Sequence, residues 1–136
     1  MVAPGVSLPA RALLSVPDVT DSRVSLGKRG EDLTCRELER RGYAILARRY
    51  RRRDGELDII ARDGETTVFV EVKTKAGPTF GSGAEAVTPF KRRRIARLAT
   101  QYLAEHRLTD SPCRFDVVSI DFEEERPRIE MYRNAF

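Results

Sequence analysis

The sequence predicts an α/β fold, a sheet with helices packed on it. Three observations predict it. Apolar residues recur at helical spacing in two separate segments. Short runs rich in Val, Ile and Phe lie between and after them, as strands do. Turn residues such as Asp63-Gly64 punctuate those runs. The resulting order is helix, three strands, helix, two strands. A chain of 136 residues holds one domain with a real core and is too short for two.

The first helix is expected over Ser25–Arg41, with Gly42 as its C′ stop. Residues 1–24 are rich in Pro, Val and Ser, lack the continuous apolar stretch of a secretory signal, and read as a flexible tail before a domain over 25–136. A transit peptide is the weaker reading, resting on the absence of acids before Asp18. Tyr43–Tyr50 alternates loosely and reads as a strand. Leu57–Ala61 and Thr66–Lys73 read as two strands joined across Asp63-Gly64. Lys75–Ala86 holds Gly77, Pro78, Gly81 and Gly83, so a mobile loop is expected. Thr88 is placed to cap a second helix with Pro89 at its first position. Ile95, Leu98, Ala99, Tyr102 and Leu103 form that helix's buried stripe. Phe115–Phe122 and Ile129–Tyr132 are the last strands, the second at an edge.

Composition narrows the function. Hydrophobic residues make up 40% and charged residues 34%, which fits a globular chain. No apolar run approaches the roughly 20 residues of a membrane helix, so no membrane role is expected. Two cysteines without a CxxC pair and a single histidine argue against a zinc site and a disulfide framework, and favour a cytoplasmic location. His106 reads as a cap or flank of the second helix. Net charge is +4 and the pI about 9.4. The excess is clustered: Arg48, Arg49, Arg51, Arg52 and Arg53 form one block, and Lys91, Arg92, Arg93 and Arg94 another. Arginine suits phosphate because its planar fork donates two hydrogen bonds at once. With two such blocks flanking an acidic cluster, nucleic acid is the expected partner.

That cluster lies in Gly55-Glu56-Leu57-Asp58-Ile59-Ile60 and Val68-Phe69-Val70-Glu71-Val72-Lys73. A turn at Asp63-Gly64 sets Ile60 opposite Thr67, Asp58 opposite Phe69 and Glu56 opposite Glu71. Paired residues share a face. Glu56, Asp58, Glu71 and Lys73 then project from one side, with Asp58 and Glu71 as diagonal neighbours able to share one cation. Oxygen-only ligands favour Mg²⁺ or Mn²⁺. Lys73 on the same face is placed to orient water or to stabilise charge on a phosphate. These parts suit metal-dependent phosphodiester hydrolysis. The competing reading is a plain Glu71–Lys73 salt bridge.

Two accounts fit Glu31, which shares a helix face with Thr34, Cys35 and Leu38: a further metal ligand, or a partner for Lys28 or Arg29 near the helix start. Lys91 lies at the edge of the buried stripe, where snorkelling to solvent is favoured over reaching a phosphate. Arg92, Arg93 and Arg97 point away from the stripe, towards a nucleic-acid backbone. Asp116 is a candidate supporting acid, with a surface or structural role favoured.

The ordered set Gly30-Glu31-Asp32, Gly42-Tyr43, Tyr50-Arg51, Gly55–Ala61, Val68–Thr74, Phe80-Gly81, Lys91 and Arg114–Val118 resembles the bacterial UPF0102 family, also called YraN-like. That family is similar in turn to the restriction-endonuclease-like superfamily with its PD-(D/E)xK site. The resemblance implies an αβββαβ core with a mixed central sheet flanked by helices. It implies Asp58, Glu71 and Lys73 as catalytic residues and Glu31 as the first-helix glutamate of Holliday-junction resolvase relatives. Glu56 joins them as a supporting acid. Metal would be held by Asp58, Glu71 and Glu31, and DNA by Arg49, Arg51, Arg52, Arg53, Lys91, Arg92 and Arg93. Such enzymes use Mg²⁺ and cut DNA, and the junction resolvases act as homodimers. Two departures stand out: Leu57 replaces the motif's proline, and Arg49 replaces a common asparagine. The expected function is therefore a metal-dependent endonuclease, with branched or junction DNA as a substrate class. A catalytically inert nucleic-acid-binding or accessory module of the same fold is the alternative.

Overall fold

Seven elements follow one another in the computed structural model, which describes residues 19–75, 87–123 and 125–136. They are α1 (Val19–Arg40), β1 (Ala44–Arg52), β2 (Gly55–Asp63), β3 (Thr66–Lys75), α2 (Pro89–Glu105), β4 (Cys113–Asp121) and β5 (Arg128–Tyr132). The expected order is present. α1 begins six residues earlier than expected, at Val19, within the segment read as tail. No proline follows Pro17 in that stretch, so nothing there forbids a helix. Residues 1–18 and the glycine-rich stretch 76–86 lie outside the described residues.

Helix ends follow their local chemistry. Gly42 takes φ 92°, where a side chain would be strained, and Tyr43 N–H reaches back 2.9 Å to the Leu38 carbonyl. The Thr88 hydroxyl accepts from Lys91 N–H at 3.2 Å, and Pro89 opens α2. His106 caps the other end, with its ring stacked 4.0 Å from Tyr102.

The strands form one sheet in the order β1-β2-β3-β4-β5. Only β3 and β4 run parallel, and α2 is the crossover between them. β5 sits at the edge, as expected. The two-residue period of β3 sends Val68 and Val70 to one face and Phe69 to the other. Cys35 and Leu38 of α1 cover the first face, with Ile59, Ala61, Val118 and Ile120. Ile95, Leu98, Ala99 and Tyr102 of α2 cover the second, with Tyr50, Leu57, Ile60 and Val117. At Gly30, α1 crosses β3 so closely that a β-carbon would stand 2.1 Å from Thr74 Cγ2.

Two features of β1 and β2 correct the sequence reading and position the site. The β2–β3 turn is Gly64-Glu65, since Asp63 pairs with Thr66 and Ile60 with Phe69. Gly64 at φ 62° supplies the positive angle a tight turn needs at its first central position. The register is therefore two residues from the expected one, and carrying it one step past the Ile59–Val70 pair sets Asp58 opposite Glu71. The alternation of β2 also slips at Asp58. Leu57 and Ile60 both join the α2 side, while Ile59 joins the α1 side. β1 shifts in concert, with an irregularity between Ile45 and Ala47 and φ 54° at Arg49, the residue facing Asp58 in register.

Asp116 is fully buried and structural, so the surface option is excluded. It accepts from Arg114 Nε at 3.2 Å and from Asn134 N–H at 3.0 Å. Arg114 goes on to Asp63 (3.1 Å) and the Tyr43 hydroxyl (2.6 Å), tying the start of β1, the end of β2 and β4 together.

A paired-carboxylate site with two lysines

Asp58 stands where β2 parts from β3. In place of a further ladder bond, its Oδ2 accepts the Val72 N–H at 2.8 Å. Glu71, 8% exposed, projects from β3 on the α2 side. Lys73, two residues on, shares that side, and its Nζ lies 3.5 Å from Glu71 Oε2. Lys91 comes down from the first turns of α2 and contacts the same oxygen. The expectation that Lys91 snorkels to solvent is thus corrected. Its place beside the Ile95–Leu98 stripe aims its ammonium at the sheet.

Charge is unevenly balanced here. Burial, followed by the neighbouring Glu71 charge, raises Asp58 from 3.8 to about 7, against the opposing pull of the Val72 N–H. Near neutral pH this carboxyl therefore keeps a proton for much of the time. Burial and then Lys91 push Lys73 below its ordinary value. For Lys91, burial is the largest single influence and lowers the ammonium, but bonding to Glu71 and Lys73 together with the Glu71 and Asp58 charges outweighs it, and the pKa ends raised. A lysine moved towards neutrality beside a carboxyl moved the same way is the pairing that proton-handling sites use.

The other expected site residues fall elsewhere. Glu31 approaches Asp58 closely enough to raise its pKa slightly, but its carboxylate is held by Arg49 at 3.0 Å and Arg48 at 3.5 Å. Neither Lys28 nor Arg29 is its partner, since Lys28 pairs with Asp32. Arg49 is thereby tied to α1. Glu56 lies beyond the slip in β2 and pairs with Arg51 at 3.3 Å, apart from the other acids. Among the described residues, no group of three or more acidic, His or Cys side chains converges as a metal cage. Arg52 is clasped by Glu105 at 3.0 Å and its guanidinium covers the Tyr50 ring. Arg92 donates to the Val87 carbonyl at 3.2 Å. Arg53 and Arg93 are exposed. Much of the first basic block is thus paired within the molecule, in solvent-exposed bridges that an incoming phosphate can displace at small cost.

Fold and site together define an α/β domain whose mixed sheet carries a partly buried two-carboxylate, two-lysine cluster where neighbouring strands separate. The chain belongs to the uncharacterised protein family UPF0102, whose family model matches residues 30–120 and so spans Glu31, Asp58, Glu71, Lys73 and Lys91. It is similar to the UPF0102 protein of Geobacter metallireducens, 51% identical over 82% of this chain and 92% of that protein. It is also similar to a UPF0102 protein of Parafrankia sp., 50% identical over 82% of this chain and 95% of the relative. A third relative, from Pelotomaculum thermopropionicum, is 42% identical over 87% of this chain and its own full length.

Proposed function

We propose that this protein is a metal-dependent endonuclease that hydrolyses phosphodiester bonds of DNA. The observation that carries the reading is the pair of half-buried Asp58 and buried Glu71, flanked by Lys73 and Lys91. Two carboxylates in a half-dry site are costly without a compensating cation, as the raised Asp58 shows. Their donor set is hard oxygen alone, which fits Mg²⁺ or Mn²⁺. Asp58 and Glu71 would hold the ion, and Glu31 would join only after releasing Arg49. Such an ion supplies Lewis acidity towards a phosphate oxygen and towards water.

The chain's own residues do the rest. Lys73 is placed to orient water at Nζ and to stabilise negative charge on a phosphate. Lys91 fixes Glu71 and brings a second positive charge to where a phosphate gathers negative charge. Arg53 and Arg93 offer exposed contacts to the backbone of the nucleic acid, as the displaceable arginines of β1 do.

One observation favours a second reading, an inert nucleic-acid-binding or accessory module. Lys91 already neutralises Glu71, as a structural ion pair would, and no third ligand converges among the described residues. The two readings separate on cleavage of labelled linear, single-stranded, flap and four-way-junction DNA with Mg²⁺ or Mn²⁺. The nuclease reading expects metal-dependent cutting that Asp58→Ala and Lys73→Ala abolish. Absence of cutting on every substrate, with DNA binding unchanged in both variants, would establish the inert module instead.

A further inference from the structure

Phe90 and Arg94 are used by neither the core nor the acidic site. Phe90 is the one large apolar side chain exposed among the described residues, at 63%. It precedes Lys91, the residue that reaches Glu71, in the first turn of α2. A single exposed aromatic is ordinary by itself. Arg94, one turn further along α2, gives it company.

The Arg94 guanidinium lies 6.0 Å from the Phe90 ring centroid. Its stem packs on Gly55, where a β-carbon would meet Cδ at 3.3 Å. Its Nε is buried without a hydrogen-bond partner, and no acidic side chain pairs with it among the described residues. A positive group fixed in this way, with no anion paired to it among the described residues, suits an external one. The surroundings agree. α2 has no acid in its first turn, Arg97 follows one turn on and reaches Asp54 at 3.9 Å, and Arg53 lies in the same β1–β2 turn. Positive charge concentrated on this surface fits a polyanion.

We infer that Phe90 and Arg94 form a nucleotide subsite, in which an unpaired base stacks on the Phe90 ring and the adjoining phosphate binds Arg94. This deepens the nuclease reading and rests on it. Bases inside a duplex are stacked on one another and cannot reach a lone protein ring. An unpaired base can, and a phenyl ring without hydrogen-bonding groups accepts any base. The preferred substrate is then DNA with a single-stranded segment beside the cut.

The chain contains no tryptophan, so Phe90→Trp creates a single fluorescent reporter at the subsite. In EDTA and low salt, a single-stranded thymidine dodecamer should quench its emission saturably, and a blunt duplex should not. Phe90→Ala should weaken dodecamer binding about tenfold or more and duplex binding less than twofold. Arg94→Gln should weaken dodecamer binding several-fold. Emission that stays flat while anisotropy reports a bound dodecamer would overturn the subsite, as would native affinity in Phe90→Ala. Metal-dependent cleavage persisting alongside such a flat signal would leave the nuclease reading standing. A native chain that neither binds nor cuts any DNA would remove both.

Discussion

Glu71→Gln should lose cleavage by about a thousandfold or more and should also destabilise the fold. The first effect follows from removing one of two hard oxygen charges at the proposed metal site. The second follows from the two ammonium groups that share Glu71 Oε2, each with a side chain only 26% exposed. Taking away the shared anion leaves two half-buried positive charges together, a loss of about 2–3 kcal/mol after allowance for their partial exposure. Thermal denaturation in EDTA reads the second effect separately from the first. An unchanged melting temperature would mean that Lys73 and Lys91 swing to solvent without cost.

Asp58→Asn should lose cleavage as severely and yet stabilise the metal-free fold, the opposite sign. Burial, and after it the neighbouring Glu71 charge, raises the Asp58 pKa from 3.8 to about 7 on folding. Between those values the folded chain binds a proton that the unfolded chain does not, so stability falls as pH rises through the window. Below about pH 4 both states are protonated and the penalty vanishes; above about pH 7 it is complete. Asparagine mimics the protonated carboxyl and keeps an oxygen for the Val72 N–H. The variant should therefore gain about 2 kcal/mol at pH 8, or roughly 5 °C or more in melting temperature, and almost nothing near pH 4. A gain of equal size at both pH values would show that the carboxyl does not titrate as argued. Opposite stability changes with a shared loss of activity would distinguish this pair from two ordinary buried acids.

Much of this arrangement is legible in the sequence because it depends on short-range periodicity. Glu71 and Lys73 are two residues apart on a strand, so they share a side whatever the sheet does next. The Thr88-Pro89 start and the Ile95–Tyr102 stripe are likewise local, and the structure keeps both. The hairpin turn is misplaced by one residue, because Asp63-Gly64 and Gly64-Glu65 both put glycine within a two-residue turn. That error moves the pairing by two, and a shift of two preserves parity, so Asp58 still meets Glu71 and does so more directly.

What fails to show is set by tertiary contact. Glu31 finds Arg48 and Arg49 across seventeen or more residues, through α1 packing on β1. Neither spacing nor helix position selects those partners over Lys28 or Arg29. Glu56 is lost from the cluster because β2 changes face at Asp58, and no glycine or proline stands at that slip, the strand's one glycine being its first residue, Gly55. Lys91 did leave a signal, its place at the border of the buried stripe, which a long flexible side chain makes ambiguous. The Phe90–Arg94 pair left less: one turn of spacing on a strongly basic helix.

The central claim is that Asp58 and Glu71 together bind a divalent cation, and titration calorimetry with Mn²⁺ at pH 8 tests it most directly. The account predicts saturable binding of about one Mn²⁺ per native chain and its loss in both Asp58→Asn and Glu71→Gln. Equal Mn²⁺ binding in all three proteins, or none in the native chain, would contradict it.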